Sequence, residues 1–155
     1  MVVRLAEQRE LDQINRLRKE VNDLHVAGKP EFFKKGFTEE LKDYIYEIWN
    51  DEKKDIVVAV IDDNIVGYGI VSQVHKKETP FMYERNYLYI DEFCVDENHR
   101  REGIASKLVD YIVEYAKEKG IQRIELNMWE FNEDALLFYE KVGFQTYRRY
   151  LEMEI

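Results

Sequence analysis

At 155 residues and 45% hydrophobic composition the chain can bury a substantial core, and its single cysteine, Cys94, excludes an intrachain disulfide. A formal charge of −9 argues against general adhesion to nucleic acid and permits attraction of cationic substrates. With no secretory apolar segment, no long membrane-spanning run and no cysteine-rich metal framework, the cytoplasm is the expected location, with no membrane partner and no metal.

Val2 to Leu5 predicts a short strand, and Glu7 to about Leu24 a helix in which Leu11, Ile14, Leu17, Arg18, Val21 and Leu24 recur at near-helical spacing. Gly28-Lys29-Pro30 breaks that run. Thr38 caps the next helix, without a reciprocal capping box because Leu41 stands three positions on. Glu39 and Glu40 suit the first turn's dipole, and Leu41, Tyr44, Ile45 and Ile48 supply the buried face. The period then changes. Ile56 to Ile61 reads as a strand, Asp62-Asp63-Asn64 as a turn, and Ile65 to Val74 as the antiparallel partner. After the polar interval His75 to Asn86 comes the strand Tyr87 to Val95. A long helix follows, with Ile104, Leu108, Ile112, Val113, Tyr115 and Ala116 on its apolar face and its end before Gly120. Ile121 to Met128 returns as a strand, Glu133 to Lys141 fits a short helix, and Phe144 to Ile155 predicts terminal antiparallel strands. No repeat or linker divides this α/β pattern, so one domain over 1–155 is expected.

The junction after Val95 carries the chemistry. An apolar-rich strand runs through Asp96-Glu97-Asn98-His99 into Arg100-Arg101-Glu102-Gly103-Ile104-Ala105, where a basic, glycine-containing turn opens a helix. A helix start leaves about four N–H groups without intrahelical partners, and the dipole adds to their attraction for a phosphate. Gly103 and Ala105 let a phosphate approach the backbone closely while Arg100 supplies charge. No Gly-Lys-Ser/Thr follows, which excludes a Walker site, and two of three glycines of the dinucleotide fingerprint are missing.

On these residues the chain resembles the GNAT family of N-acetyltransferases. Arg100 to Ala105 is similar to the family's Gln/Arg-x-x-Gly-x-Gly/Ala pyrophosphate loop, and Tyr87 to Val95 to its central strand. Asn132 through Tyr139 resembles its Asn-x-x-Ala-x-x-Phe-Tyr segment, followed by the Gly143-Phe144 turn. Two departures bear on the loop: Ala105 takes the final small-residue position, and Asp96-Glu97-Asn98 lacks the proline often found after the central strand. The resemblance implies a mixed, mostly antiparallel sheet, flanked by helices and with a splayed central strand pair. It also implies acetyl-CoA as co-substrate, held by Arg100, Arg101, Glu102, Gly103, Ile104 and Ala105, by Asn132, Ala135, Phe138 and Tyr139, and by the strand residues Phe93, Cys94 and Val95. Backbone donors near Cys94 and Val95 would contact pantetheine and the thioester carbonyl.

Three side chains are candidate catalytic groups. The resemblance assigns Tyr139 the proton given to the departing coenzyme A sulfur. An amine acceptor with a pKa of about 10.4 must lose a proton before attack, and the carry-over makes Asp91 the proton relay and Glu92 the cation-binding residue. Period-two alternation places Asp91, Phe93 and Val95 on one face of the strand and Glu92 and Cys94 on the other. A charged strand edge facing solvent is the competing reading of that pair. Asn132 suits either a pantetheine amide or an N-cap. Cys94 reads as structural, and His25, His75 and His99 lack metal-ligand spacing, His99 falling at the basic entrance of the loop.

The expected activity is therefore transfer of acetyl from acetyl-CoA directly to a primary amine, with a polyamine or other small cationic amine as the leading acceptor. The alternatives are a peptide or protein N-acetyltransferase and an inactive acyl-CoA-binding regulatory module. Val21 to His25 and Glu31-Phe32-Phe33 are expected in the acceptor wall, and a homodimer is the candidate assembly.

Overall fold

The structure, a computed structural model, describes residues 1–155. Strands β1 (Val2–Leu5), β2 (Lys54–Ile61), β3 (Asn64–Lys76), β4 (Arg85–Val95) and β5 (Ile124–Leu126) form one sheet in the order β1-β2-β3-β4-β5. Every pair is antiparallel except β4 and β5, which are parallel. Turn chemistry explains the difference. Asp62 and Asp63 take φ of 47° and 63°, which Asp tolerates, and close a two-residue hairpin between β2 and β3. A parallel pair instead needs a crossover, and helix α3 (Ile104–Glu118) provides it.

The sheet is packed on both faces. Helices α1 (Leu11–Gly28) and α2 (Glu39–Trp49) cover one face, where Leu11, Ile14, Leu17 and Ile45 pack on Ile56, Val58, Tyr68, Ile70 and Cys94. Helix α3 covers the other, where Ile104, Leu108 and Ile112 pack on Val57, Ala59, Val66, Val71, Leu88 and Ile90. Each fully buried aliphatic side chain contributes about 1.5–3 kcal/mol, so these two clusters, rather than surface ion pairs, hold the sheet between its helices. Thr38 Oγ1 accepts from the Leu41 N–H at 3.3 Å, which caps α2 as its sequence predicts.

Several features differ from the expectations. Helix α1 runs on to Gly28, because nothing before Lys29-Pro30 interrupts it. Tyr44 is 43% exposed rather than buried, its ring lying beside the Arg18 guanidinium. Strand β5 spans only Ile124–Leu126, since its ladder with β4 stops at the Ile90–Leu126 pair. Residues 144–155 form no strand, because the short β5 leaves them no ladder to join, and they are tethered by side chains instead. No helix is long and apolar enough to cross a membrane.

Gly67 lets the start of α3 lie close on the sheet. A Cβ on Gly67 would stand 3.0 Å from Leu108 Cδ1 and 3.2 Å from both the Cys94 carbonyl oxygen and Ile104 Cγ2. Gly67→Ala is expected to lower stability by about 1–3 kcal/mol through overpacking, read as a lower urea midpoint at unchanged m.

Candidate active site

The site begins at an irregularity in β4. Ile70 of β3 pairs with Glu92 and Val71 with Ile90, so Asp91 is an extra residue with no partner across the ladder. Before this bulge Leu88 and Ile90 face α3, and after it Phe93 and Val95 do, which unbroken alternation cannot achieve. The expectation that Asp91 shares a face with Phe93 and Val95 is thereby overturned. Asp91 Oδ2 accepts from Ser72 Oγ and, at 3.2 Å, from Lys54 Nζ, residues on the α1/α2 face, where Glu92 also lies.

Glu92 has its own cation. Arg18, only 5% exposed, donates from Nε at 3.0 Å to Oε2 and from Nη2 at 3.2 Å to Oε1, and the Tyr68 hydroxyl adds a third bond at 2.8 Å. Arg18 is itself held by Asn15 Oδ1 at 3.0 Å and the Leu41 carbonyl at 2.6 Å. Burial and the Glu92 charge push the Tyr68 phenol well above its usual range, so it stays a donor. Arg18 thus already partners the carboxylate that the resemblance assigns to binding a cationic acceptor, and ties it to α1. The signal was present in the sequence, because Arg18 sits within the apolar stripe of α1, where a charge needs a partner.

Beyond Ile90, residues Asp91 to Val95 have no β5 neighbour, which is the splay of the central pair. The Asp96 N–H donates to the Val66 carbonyl at 2.9 Å, so ladder alternation makes Tyr68–Cys94 the next hydrogen-bonded pair. The N–H groups of Phe93 and Val95 therefore point to the open side and that of Cys94 to β3. A backbone donor expected at Cys94 falls to Phe93 instead. The Cys94 thiol is buried and pushed up to about 12 by burial, which leaves it no thiolate character.

The strand then enters the basic loop. Asp96 follows β4 directly and accepts from the Asn98 N–H at 2.9 Å and from Arg16 of α1 at 2.7 Å. Burial raises its carboxyl, but these donors outweigh burial and hold it below the usual carboxylate range. Arg100, Arg101, Glu102 and Gly103 are exposed, with Arg101 at φ 66° and Gly103 at φ 78°. Glu102 lies 3.2 Å from His99 Nδ1. Ile104, 1% exposed, anchors the helix start, and the first helical bond runs from Lys107 N–H to Gly103 at 3.2 Å. The N–H groups of Ile104, Ala105 and Ser106 donate to nothing within the chain, and no atom lies within 4 Å of where a Gly103 Cβ would be. A run of free donors, flanked by two arginines, suits a pyrophosphate.

Helix α4 (Glu133–Lys141) closes the splay from the other side. Asn132 Oδ1 caps it, accepting from Ala135 N–H at 3.3 Å, which leaves the Asn132 amide nitrogen free for a second partner. Phe138 stacks on Phe93 at 6.1 Å, and the Tyr139 ring meets Phe93 at 6.1 Å and Phe144 at 5.5 Å. The Tyr139 phenol is pushed up to about 12, first by burial and then by the nearby Cys94. An aromatic wall completes the α1/α2 side. His25, Phe33, Trp129 and Phe131 follow one another at 4.9, 5.2 and 6.1 Å, and Phe32 meets Trp129 at 5.7 Å. Burial lowers the His25 pKa against the opposing pull of Glu92. Trp129 and Phe131 were not singled out in the sequence; an aromatic pair directly after the strand was the available signal.

Residues 18–144 match the Acetyltransferase (GNAT) family. N-alpha-acetyltransferase 30 of Schizosaccharomyces pombe is 30% identical over 121 residues, which cover 77% of this chain and 77% of that protein. The tetramutant of the BH1408 protein from Bacillus halodurans superposes with a TM-score of 0.95 at 27% identity, over 100% of both chains. The aminoglycoside N-acetyltransferase AAC(6')-Iy in complex with CoA shares the fold, with a TM-score of 0.74 at 16% identity, covering 99% of this chain and 98% of that one.

The Arg18–Glu92 pair makes a direct prediction. Glu92→Ala leaves a buried guanidinium uncompensated and is expected to cost about 3 kcal/mol. Thermal unfolding reads this as a fall in Tm of roughly 6–12 °C for a chain of this size.

Proposed function

The chain belongs to the GNAT family of acetyltransferases and is an acetyl-CoA-dependent N-acetyltransferase, and we propose that its acceptor is the primary amine of a small cationic molecule. The observation that carries this reading is the Asp91 carboxylate. Both of its bonds fall on Oδ2, so Oδ1 accepts nothing within the chain. The unused oxygen of a carboxylate that Lys54 already partners can still attract an ammonium and offer its proton a destination. The chain's net charge of −9 supports the same class. A cytoplasmic enzyme working as a homodimer is part of this proposal, the reduced Cys94 supporting the location.

In the mechanism we assign, the free N–H groups at the start of α3, with Arg100 and Arg101, hold the pyrophosphate of acetyl-CoA. The Asn132 amide nitrogen is a donor for pantetheine, with Ala135 and Phe138 lining its path. The Phe93 and Val95 N–H groups face the thioester end, where negative charge develops on the carbonyl oxygen. Asp91 takes the acceptor's proton, directly or through water. The amine nitrogen forms its bond to the acetyl carbon, the carbon–sulfur bond breaks, and the electron pair leaves on sulfur.

Tyr139 faces that sulfur as a hydrogen-bond donor. Its pKa, pushed up to about 12 by burial, stands above that of a cysteine-like thiol, so complete proton transfer to the thiolate is uphill. Donating a hydrogen bond to the leaving thiolate meets no such barrier, and the phenol stays protonated at every working pH. In this mechanism the hydroxyl foreseen as the proton source for the departing sulfur acts first as the donor that stabilises the thiolate.

A peptide amine is the second reading, supported by the Schizosaccharomyces pombe relative, whose name is that of an N-alpha-acetyltransferase. An acetyl-transfer screen over polyamines, aminoglycosides, amino acids and peptides, with product mass locating the new acetyl group, tests the proposal. A small cationic amine is expected to exceed any peptide at least tenfold in kcat/KM; peptide preference, or no transfer, overturns it. In single-turnover kinetics with the best acceptor, Tyr139→Phe is expected to slow the chemical step about 10–100-fold with acetyl-CoA affinity nearly unchanged. Asp91→Asn is expected to slow it more as pH falls and the acceptor becomes fully charged. A pH-independent defect would reassign the proton.

A further inference from the structure

Helix α1 bridges the splay. Strand β5 parts from β4 at the Ile90–Leu126 pair, so Glu92 stands on one bank of the gap and Trp129 and Phe131, beyond the end of β5, on the other. Arg18 reaches Glu92 at 3.0 Å, and the ring of His25, further along the same helix, lies 6.4 Å from that of Phe131. Seven residues of helix are almost two turns, a rise of about 10.5 Å, so both side chains leave one face of α1. The last turns of α1 therefore roof the gap toward which the Phe93 and Val95 N–H groups point, and His25 belongs to that roof. Its ring is one corner of a closed aromatic square: His25 to Phe33 at 4.9 Å, Phe33 to Trp129 at 5.2 Å, Trp129 to Phe131 at 6.1 Å, and Phe131 back to His25. Gly28 makes room for it, because a Cβ there would stand 2.3 Å from Phe131 Cε2. The ring is thus fixed while its polar atoms stay unspent. Glu84 and Glu102 occupy His75 and His99, whereas neither nitrogen of the half-buried His25 meets a partner in the chain.

We propose that His25 binds the acceptor: its imidazole accepts one N–H of the incoming amine above the splay. The inference rests on the N-acetyltransferase activity and on neither acceptor class, since small molecules and peptides both present an ammonium. One N–H is held by His25, one proton leaves toward Asp91, directly or through water, and the freed electron pair forms the bond to the acetyl carbon. The surroundings keep the ring able to accept. Burial lowers its pKa against the pull of Glu92 from β4, whose charge Arg18 of α1 already partners, so the ring is neutral at neutral pH. On the flanking connections the charges are engaged elsewhere or exposed: Lys29 pairs with Glu31 at 3.0 Å and with Glu152, Glu130 with Arg149 at 3.8 Å, and Lys34 and Lys35 stand in solvent. Protonation removes the ring's lone pair and sets one cation against another. Acceptor binding through His25 is therefore intact above its pKa and lost as pH falls through it.

Steady-state kinetics from about pH 5 to about pH 8, with the acceptor of highest kcat/KM in the screen, tests this on two variants. His25→Phe keeps the aromatic square, and His25→Gln keeps a hydrogen-bond acceptor that does not titrate. The wild-type acceptor KM is expected to rise about tenfold between about pH 7 and about pH 5, with the acetyl-CoA KM changing less than about threefold. Near neutral pH, His25→Phe is expected to raise the acceptor KM about tenfold and to leave the acetyl-CoA KM and Tm nearly unchanged. His25→Gln is expected to stay within about threefold of the wild type near neutral pH and to lose most of the acid rise. A His25→Phe enzyme with the wild-type acceptor KM overturns the proposal, as does one that weakens acetyl-CoA and acceptor equally. Where His25→Phe lowers Tm, the His25→Gln profile decides, and an acid rise kept in full overturns the proposal. A preference for peptides would overturn the small cationic acceptor and leave these expectations for His25 standing.

Discussion

One extra residue in the fourth strand governs the site. Without a bulge at the Ile70/Val71 step, the same residues of β4 would keep a single alternation from Leu88 to Val95. Residues 92 and 94 would then face α3 and bury a glutamate in an apolar cluster. The bulge resets the phase so that Phe93 and Val95 join the α3 side, while Glu92 and Cys94 join the α1 side. It also puts two consecutive carboxylates on one face, and bulges increase local twist, which favours departure of β5 after Ile90. The open donors of Phe93 and Val95, the splay and the acidic pair are thus consequences of one irregularity.

Two adjacent carboxylates on one face repel, and the fold separates them by partner. Arg18, threaded through the apolar stripe of α1, takes Glu92 into a network with Tyr68 and Asn15, which ties α1 to the middle of β4. Asp91 is left to Ser72 and the partly exposed Lys54, and keeps an oxygen free. A residue held by several strong bonds is suited to fixing geometry, and one with spare acceptor capacity to exchanging protons. Further along the same helix, Arg16 grips Asp96 where β4 enters the basic loop. One helix therefore anchors both Glu92 and the entry to the basic turn.

Much of this was legible in the sequence wherever the cause is local. The α4 bounds, the caps at Thr38 and Asn132, the Asp62-Asp63 turn and the run of small and basic residues from Arg100 follow from side-chain chemistry over a few positions. The misses all depend on a partner across the sheet. A bulge is invisible until the neighbouring strand's register is known, so Asp91 was placed on the wrong face. The length of β5 depends on where β4 leaves it, so Ile121 to Met128 shrank to Ile124–Leu126. The strand pattern of residues 145–155 is genuine, yet no ladder within the chain receives it. The partner of Glu92 is hidden because its arginine lies 74 residues away in sequence.

The central claim is that the reset of β4 aims the Phe93 and Val95 amides at the cofactor, in line with the free amides that open α3. Residue-resolved amide hydrogen exchange, with and without saturating acetyl-CoA, tests it most directly. The account predicts new protection at Phe93, Val95, Ile104 and Ala105, with Cys94 slow in both states because its amide already belongs to the β3 ladder. Protection appearing at Cys94 while Phe93 and Val95 exchange unchanged would contradict it.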